Sequence, residues 1–267
     1  MFFFHCLNAL EFTQEEKAWI TAHETVVFGS DYSWAPYDFT DKRGKHSGIA
    51  SDFLALISQK SGLKIQVKMG VWSNILEDMQ QGRLDGLSCA VITPKRQEYI
   101  YFTLPYVSMP LVIVVQENRK DIHSLEDLYG KWVAINKDSY LHEWLEKNHP
   151  KIKLKLMTSN NASLEAVSFS KVDAYISNIA VATHIMKTRY LTNLKIVNHV
   201  KNMNTDVSIA IDKEHKILYD IIHKTLKSIS HEERQKIINR WFTFSKTEKN
   251  SVDLTEKEKN GFDCILW

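Results

Sequence analysis

Short apolar runs, each followed by residues with helical spacing, constrain the fold of this chain more than any other feature of its sequence. Residues 63–69 alternate between apolar and polar side chains, Ser73 caps a predicted helix, and residues 84–91 form an apolar run short enough for a buried strand. After Gly130 the same order of strands and helices starts again, with residues 132–136 as its first strand. Such alternation is typical of sheets with helices on both faces. The sequence therefore predicts an α/β protein of two similar lobes, each a doubly wound sheet flanked by helices.

The chain crosses between the predicted lobes at the polar residues 116–120, and a strand at residues 207–211 leads back. Two further helices follow, and we expect them to return to the first lobe. The predicted parts are an entry segment at 1–23, lobe 1 at 24–113 plus 212–245, lobe 2 at 114–211, and a tail at 246–267. Within the tail, residues 254–262 repeat the pattern of residues 12–20. Two interpretations of the tail stay open: the broken start of a second domain of the same kind, or a charged, solvated tail.

The composition gives no support for nucleic acid or a membrane surface as a partner, nor for a metal or disulfide framework. The 267 residues are 44% hydrophobic and 25% charged, and the net charge of +2 gives no argument for nucleic acid or an anionic membrane. Cys6, Cys89 and Cys264 are odd in number and widely spaced, so we predict no disulfide framework, no metal site and no other cofactor. The apolar start at residues 1–12 lacks a basic region and a cleavage site. It fits the remainder of a signal peptide or membrane anchor, or a ragged start.

The segment TPKR carries a local pattern that favours anion binding. Thr93 is a predicted helix N-cap, and Pro94 takes the first helical position, where its missing N–H costs nothing. Arg96 lies in the first turn, where a cation opposes the helix dipole. The free N–H groups of that turn and a guanidinium together form a good cradle for a carboxylate. The alternative is an ion pair between Arg96 and a surface acid.

Polar and aromatic side chains follow several of the predicted strands at their carboxyl ends. Ligands bind outside these ends in open α/β sheets, and in a two-lobed protein the ends can face each other across a cleft. Trp34 lies in a loop rich in aromatic residues, so we favour ligand contact over local packing for it. No pairing of a nucleophile with a base stands out, so we predict no catalytic residues. The predicted ligand-binding residues are Tyr32, Trp34, Tyr37, Ser88, Arg96, Asp138, Ser139 and Asn178.

Four motifs occur in consistent order over residues 24–242: SDYSWAPYDF, GRLDGL, TPKRQEYIYFTLPY and VDAYISNIAVA. Together they resemble the type 2 periplasmic solute-binding proteins of the polar amino-acid branch, also called family 3. The entry segment FTQEEKAWI and the TPKR motif further resemble the Venus-flytrap sensor domains of BvgS-type hybrid histidine kinases. The resemblance implies a two-lobed Venus-flytrap fold, a periplasmic or other extracytoplasmic location, and closure of the lobes on a ligand by a hinge.

The resemblance also implies roles for single positions. Trp34 matches an aromatic residue that stacks on the ligand, Arg96 matches the arginine that clamps an α-carboxylate, and Ser139 matches a hydroxyl that meets the same carboxylate. Asn178 falls where amino-acid binders usually carry Asp for the α-ammonium, and Val91 falls where many carry Ser or Thr. A neutral amide lacks the charge-assisted bond of that Asp. An amino acid, an organic acid, another small anion and a site that works without ligand therefore all stay open.

Two classes of function fit these features. The first is a ligand-binding receptor domain, which serves either a membrane-bound kinase as a sensor or a permease as a transport component. The second is an enzyme, since some relatives on this scaffold dehydrate cyclic amino-acid precursors. That chemistry requires a proton donor, and only Asp138 is a plausible acid among the predicted cleft residues. We therefore predict a receptor rather than an enzyme, and the entry segment and tail favour sensing over transport.

Overall fold

The part of the chain that the structure describes contains a mixed sheet of nine strands, with a three-stranded sheet beside it. The computed structural model describes residues 10–23 and 25–242. Within these ranges the strands are β1 (Val26–Asp31), β2 (Ser33–Trp34), β3 (Asp38–Thr40), β4 (His46–Ser47), β5 (Ile65–Gly70), β6 (Gly86–Val91), β7 (Ile100–Phe102), β8 (Val107–Gln116), β9 (Trp132–Asn136), β10 (Lys153–Met157), β11 (Ala174–Asn178) and β12 (Leu194–Asp212). The helices are α1 (Gln14–Ala22), α2 (Ile49–Ser61), α3 (Trp72–Gln80), α4 (Pro94–Gln97), α5 (Tyr140–Asn148), α6 (Asn160–Ser168), α7 (Ile179–Thr188), α8 (Lys216–Ser228) and α9 (His231–Trp241), with a 3-10 turn at Glu126–Leu128.

The large sheet has two halves that are built in the same order. In the first half β1 lies between β5 and β6 and is parallel to both. In the second half β9 lies between β10 and β11 and is parallel to both. An antiparallel strand flanks each trio, β12 beside β6 and β8 beside β11. The repeated order confirms the predicted α/β architecture of two similar lobes.

Strands β8 and β12 pair with each other in the middle of the sheet and connect its two halves. Their register shifts near Pro110, which has no N–H to donate to a neighbouring strand. The predicted strand at residues 207–211 was too short, because β12 covers Leu194–Asp212. The added residues include a polar run without alternation, and pairing with the buried β8 holds them in the sheet. The predicted lobe limits at 113/114 and 211/212 stay a prediction.

Helix caps match the sequence prediction in two places and differ in one. Thr93 caps α4, whose first residue is Pro94, and Ser139 caps α5, both as predicted. The predicted cap at Ser73 is wrong, because α3 already begins at Trp72 and has no side-chain bond at its cap. Ser73 therefore lies inside the first helical turn.

Apolar cores fill the space between the sheet and the helices of each half. Phe53 and Ile57 of α2 are fully buried in the first half, and Leu145 of α5 and Ile176 of β11 are fully buried in the second. Complete burial of one such side chain contributes about 1.5–3 kcal/mol. Trp132 lies outside these cores, because its side chain is 49% exposed at the start of β9.

Helix α1, in the predicted entry segment, packs against α8 of the first half. Thr13 and Glu16 form a capping box at its start, and Glu16 Oε1 also lies 2.7 Å from Lys224 Nζ. Trp19 packs against the main apolar core. The predicted tail at residues 246–267 lies outside the described residues. Within the described part of the chain, no helix is both long and apolar enough to cross a membrane.

Candidate functional site

A cavity of about 50 Å³ lies between the two halves of the protein. Four strands, two from each half, end at this cavity with Asp31, Val91, Asn136 and Asn178. The carboxyl ends of strands are the place where open α/β sheets bind ligands. A cavity needs about 10–15 Å³ to hold one water molecule. The volume of about 50 Å³ therefore has room for only a few waters, so the walls of the cavity lie close together.

The cavity collects half of the predicted ligand-binding residues. Trp34 and Arg96 line it from the first half, and Ser139 and Asn178 line it from the second. Tyr32 does not line it, and its side chain is 37% exposed to solvent. The predicted roles of these residues in ligand binding stay predictions.

Arg96 is almost completely buried, with only 2% of its surface exposed. Its Nη1 donates to the carbonyl of Val91 at 2.9 Å, and its Nη2 donates to the carbonyl of Asp138 at 2.9 Å. Glu143 Oε1 lies 3.5 Å from Nη2, and the guanidinium carbon lies 5.2 Å from the ring centre of Trp72. Burial lowers the pKa of Arg96, and the carboxylate of Glu143 acts in the opposite direction. Arg96 itself is buried, but Glu143 is partly exposed and lies within ion-pair distance, so the alternative of an ion pair with an acid stays open. Nε has no hydrogen-bond partner among the described residues.

Asp138 contributes its backbone to the contact between the halves. Its φ of 58° is left-handed, a conformation in which Asp and Asn are enriched among residues other than Gly. Its carbonyl oxygen accepts from Arg96 Nη2 and also from Trp72 Nε1 at 3.0 Å. Its side chain was predicted to face the ligand, but it lines a separate polar groove instead of the cavity. The left-handed turn aims the carbonyl, not the carboxylate, at Arg96.

Asn178 links the second half to the first half through its side chain. It is 1% exposed, and its Oδ1 accepts from the N–H of Val181 at 3.0 Å, which caps α7. The same oxygen accepts from the hydroxyl of Tyr37 at 3.2 Å. Tyr37 was predicted to contact the ligand, but it is fully buried and is not part of the cavity wall. Tyr37 therefore positions Asn178 by a hydrogen bond without lining the cavity itself.

Ser88, also predicted as a ligand contact, lies in a buried polar network away from the cavity wall. Its hydroxyl lies 3.0 Å from Ser30 Oγ and donates to the carbonyl of Gly29 at 3.1 Å. It also contacts the carboxylate of Asp38, which pairs with the imidazole of His46. The network joins the small sheet to β1 and β6, so its contacts are structural.

Asp31 is a lining residue that the sequence analysis missed. Its Oδ1 accepts from the N–H of Ser33 at 2.9 Å and from Ser33 Oγ at 3.2 Å. Burial raises the pKa of Asp31 to about 7. Its position at the end of the first apolar strand could have identified it, because strand carboxyl ends face the cleft. The cavity thus contains an acid that can carry a proton near neutral pH.

Two further asparagines line the cavity and were also missed. Asn136 Oδ1 accepts from Ser163 Oγ at 3.2 Å, and Asn160 Oδ1 accepts from the hydroxyl of Tyr175 at 2.6 Å. Asn160 Nδ2 reaches the carbonyl of Ser33 in the first half at 3.4 Å. Asn136 ends a predicted strand and could have been found by that rule. Asn160 is the first residue of α6, and no pattern in the sequence marks it.

Three helices of the second half begin at the cavity. Helix α5 follows Ser139, α6 begins at Asn160 and α7 follows Asn178, and all three residues line the cavity. The N-terminus of a helix carries a partial positive charge and free N–H groups, so it favours negative groups nearby. The arrangement gives the second half of the cavity a preference for anions. Among the described residues, no three His, Cys, Asp or Glu side chains are grouped so that they could hold a metal ion.

The chain resembles both sensors and binding proteins in its sequence. The virulence sensor protein BvgS of Bordetella pertussis is 22% identical over 232 residues, which are 86% of this chain and 19% of BvgS. The sensor protein EvgS of Escherichia coli O157:H7 is 27% identical over 258 residues, 93% of this chain and 21% of EvgS. The probable amino-acid-binding protein YxeM of Bacillus subtilis is 33% identical over 157 residues, 57% of this chain and 60% of YxeM. The chain therefore spans about a fifth of the two sensors and less than two thirds of YxeM.

Solved structures of the same fold confirm the predicted two-lobed Venus-flytrap architecture. The periplasmic VFT2 domain of Bordetella pertussis BvgS has a TM-score of 0.79 at 21% identity, covering 87% of this chain and 99% of that domain. An ancestral arginine-binding protein bound to arginine has a TM-score of 0.76 at 27% identity, covering 82% of this chain and 99% of that protein.

A model of a protein family matches the sequence of this chain over most of its length. The model of the bacterial extracellular solute-binding proteins, family 3, matches residues 26–244, which include both halves of the sheet and all four strand ends at the cavity. The match agrees with the resemblance inferred from the motifs. This chain therefore belongs to the bacterial extracellular solute-binding proteins, family 3.

Proposed function

We propose that this chain is an extracytoplasmic sensor domain that binds a small carboxylate-bearing ligand, an amino acid or an organic acid, in the cavity between its halves. The environment of Arg96 carries this proposal. Its buried guanidinium lines the cavity, and its Nε has no partner among the described residues. A buried donor that lacks an acceptor costs about 1–3 kcal/mol, and more when it is charged. A ligand carboxylate would supply the acceptor.

The proposed mechanism is closure of the two halves about the crossing strands β8 and β12. The ligand would bridge Arg96 in the first half and Ser139 and Asn178 in the second. A ligand that contacts both halves binds the closed form more tightly than the open form, so it shifts the population toward closure. The register shift at Pro110 supports this choice of hinge, because the ladder between β8 and β12 is irregular there.

Two roles fit such a domain, and we propose sensing. The sensors BvgS and EvgS align with 86% and 93% of this chain. The alternative is a component of a transport system, as in the probable amino-acid ABC transporter-binding protein of Haemophilus influenzae, which is 24% identical over 228 residues. The partner would be a membrane-bound kinase in the first case and a permease in the second. The neighbouring coding sequence tests the choice, because a kinase region there supports sensing and a permease gene contradicts it.

A thermal-shift screen against amino acids and organic acids tests the ligand class. A ligand at 100 times its dissociation constant adds about 2.7 kcal/mol of apparent stability, which is easily measured. We expect Arg96→Lys to weaken the binding of every hit about 10-fold or more, because lysine lacks the planar fork that matches a carboxylate. Lys95→Ala is the matched control, since it removes a neighbouring exposed cation that does not line the cavity.

The result that contradicts the proposal is a folded Arg96→Lys variant that binds each hit as tightly as the parent protein does. Folding of the variant is checked by its melting temperature without ligand. Arg96→Lys retains the positive charge and much of the side-chain volume, so it disturbs the buried site less than truncation to alanine does.

A further inference from the structure

The amide of Asn178 is fixed in one orientation by a donor that cannot change its role. A backbone N–H can only donate, so the side-chain atom 3.0 Å from the N–H of Val181 must be Oδ1. The hydroxyl of Tyr37 also donates to this oxygen at 3.2 Å. The oxygen of Asn178 therefore accepts two bonds from the protein. The group that remains is Nδ2, which can only donate, and the hydrogen bonds of this side chain to other described residues all use Oδ1.

The same pattern holds for the two other asparagines that line the cavity. Asn136 Oδ1 accepts from Ser163 Oγ at 3.2 Å, and Asn160 Oδ1 accepts from Tyr175 at 2.6 Å. The oxygens of Asn178 and Asn160 are engaged by donors that serve them alone, whereas the one hydroxyl hydrogen of Ser163 is shared between Asn136 Oδ1 and the carbonyl of Ser159 at 3.1 Å. The asparagines thus present mainly N–H groups to a ligand, and an N–H cannot accept a bond from an ammonium.

Other donors add to this set. Ser139 Oγ accepts from the N–H of His142 at 3.2 Å, so its own hydrogen is available for donation. Arg96 Nε has no partner among the described residues. The N-termini of α5, α6 and α7 add partial positive charge on the same side. An ammonium placed among these groups would meet like charge and no free amide oxygen.

Asp31 is the one acidic side chain of the described residues that lines the cavity. Its Oδ1 already accepts two bonds from Ser33. Burial raises the pKa of Asp31 to about 7, so a proton can sit on the carboxyl at neutral pH. In that form Asp31 can donate a hydrogen bond to a ligand oxygen, whereas the ionised form can only accept one, and the surrounding donors favour a ligand that supplies oxygens.

We infer that the ligand is a small organic acid without an amino group, a hydroxy- or keto-carboxylate whose oxygens accept from Arg96, Ser139 and Asn178. This inference rests on the proposed function, because it narrows the ligand class of the same cavity. It separates this chain from binders of α-amino acids, which need an acceptor for the ammonium.

Matched pairs of probes test the inference by titration calorimetry of the wild-type protein. Each pair shares a side chain and differs only at the α-substituent: L-alanine and L-lactate, L-serine and L-glycerate, L-phenylalanine and L-phenyllactate, with pyruvate added as the keto acid of the first pair. We expect the hydroxy or keto acid of the binding pair to bind about 10-fold or more tightly than its amino acid, because one unmatched charged group costs at least 1.4 kcal/mol. Equal or tighter binding of the amino acid overturns the inference and leaves the proposed function standing. If no acid of either kind binds, the proposed function fails as well.

Asn178→Asp provides the sharper test, because aspartate caps a helix as well as asparagine does. The variant keeps an oxygen for Val181 and replaces the N–H₂ group with a second acceptor. We expect the preference to reverse, so that the amino acid of each pair gains about 10-fold relative to its hydroxy acid. Asn148→Asp makes the same chemical change at an exposed position and should leave the ratio unchanged.

Asn178→Ser is the second variant, and it also preserves the cap while it removes the amide N–H₂. It should reduce the discrimination within each pair without reversing it. An unchanged ratio in both folded variants shows that Asn178 does not set the preference, and it overturns the inference.

Discussion

Burial determines how the two ionisable side chains of the cavity, Arg96 and Asp31, are paired. Arg96 donates to two carbonyl oxygens, which take two of its five hydrogens and do not neutralise its charge. Glu143 is the nearest carboxylate at 3.5 Å, which is longer than a normal charge-assisted hydrogen bond. Asp31 has no cation bonded to it, and its partner is Ser33. A buried charge that is not fully paired is costly, so Arg96 favours a ligand that completes its contacts, whereas Asp31 can avoid the cost by holding a proton.

Asp31 should make the stability of the ligand-free protein depend on pH. Burial raises its pKa to about 7 in the folded state, above the ordinary value of 3.8, so the folded protein holds this proton more tightly than the unfolded chain does. Stability from this group is fully present below pH 4 and is lost as the pH rises through 7. A difference of this size corresponds to about 4 kcal/mol at most. Asp31→Asn should remove that part of the slope in urea unfolding measured from pH 4 to pH 8.

Glu214→Gln is the control for this experiment, because Glu214 is exposed and lies far from the cavity in the chain. If Asp31→Asn and the parent protein show parallel pH profiles, Asp31 does not hold a proton in the folded state. The amide in this variant keeps an acceptor oxygen for Ser33, so the fold should persist.

Single residues could be predicted where a local rule applies to them. Arg96 was found because a cap, a proline and a cation follow one another in a single turn. Ser88 also follows a strand pattern, but it turns inward to Asp38, and only the packing of the small sheet determines this. The orientation of the Asn178 amide depends on Tyr37, which is 141 residues away in the chain. No local pattern contains such a contact.

At the scale of elements, the helices are fixed mainly by their ends. Caps at Thr93, Ser139 and Asn178 start α4, α5 and α7 at the cavity, so each cap both ends a loop and positions a side chain. Strand β12 shows the limit of sequence patterns. Residues 194–206 show no clear alternation, and their strand exists because β8 offers a long buried edge.

The contribution of the contact between α1 and α8 to the free energy of unfolding can be measured with variants of Glu16. Glu16 completes the capping box with Thr13 and also pairs with Lys224. Glu16→Gln should keep the box, because glutamine serves at this position too, and should cost less than 1 kcal/mol by losing a half-exposed ion pair. Glu16→Ala loses both contacts and should cost about 1 kcal/mol more than Glu16→Gln. Equal free energies of unfolding for the two variants would contradict a role of the capping box.

At the scale of the whole molecule, four hydrogen bonds between described residues join the halves beside the cavity. Arg96 and Trp72 donate to the carbonyl of Asp138, Tyr37 donates to Asn178, and Asn160 donates to the carbonyl of Ser33. The overall architecture could be predicted, because the repeated order of strands and helices is local information. The distance between the halves could not be predicted, because it depends on these few contacts between residues far apart in the sequence.

Removal of two of these contacts should open the protein. Tyr37→Phe and Trp72→Phe each delete one donor and retain an aromatic ring. At about 1 kcal/mol for each bond, the double variant should shift the open–closed equilibrium about 30-fold toward the open form. Small-angle X-ray scattering should then give a larger radius of gyration than for the parent protein.

The double variant Trp144→Phe and Tyr219→Phe serves as the control, because neither residue lines the cavity or bonds across the halves. An unchanged scattering profile in Tyr37→Phe/Trp72→Phe would show that these bonds do not hold the halves together.

The carbonyl of Asp138 has a consequence for how such a domain can diverge during evolution. The acceptor that Arg96 and Trp72 share is a main-chain atom, so no replacement of the Asp138 side chain deletes it, provided that the new residue tolerates a φ of 58°. Glycine and asparagine meet that condition. The residue at position 138 can therefore change while the acceptor that Arg96 and Trp72 share is inherited unchanged.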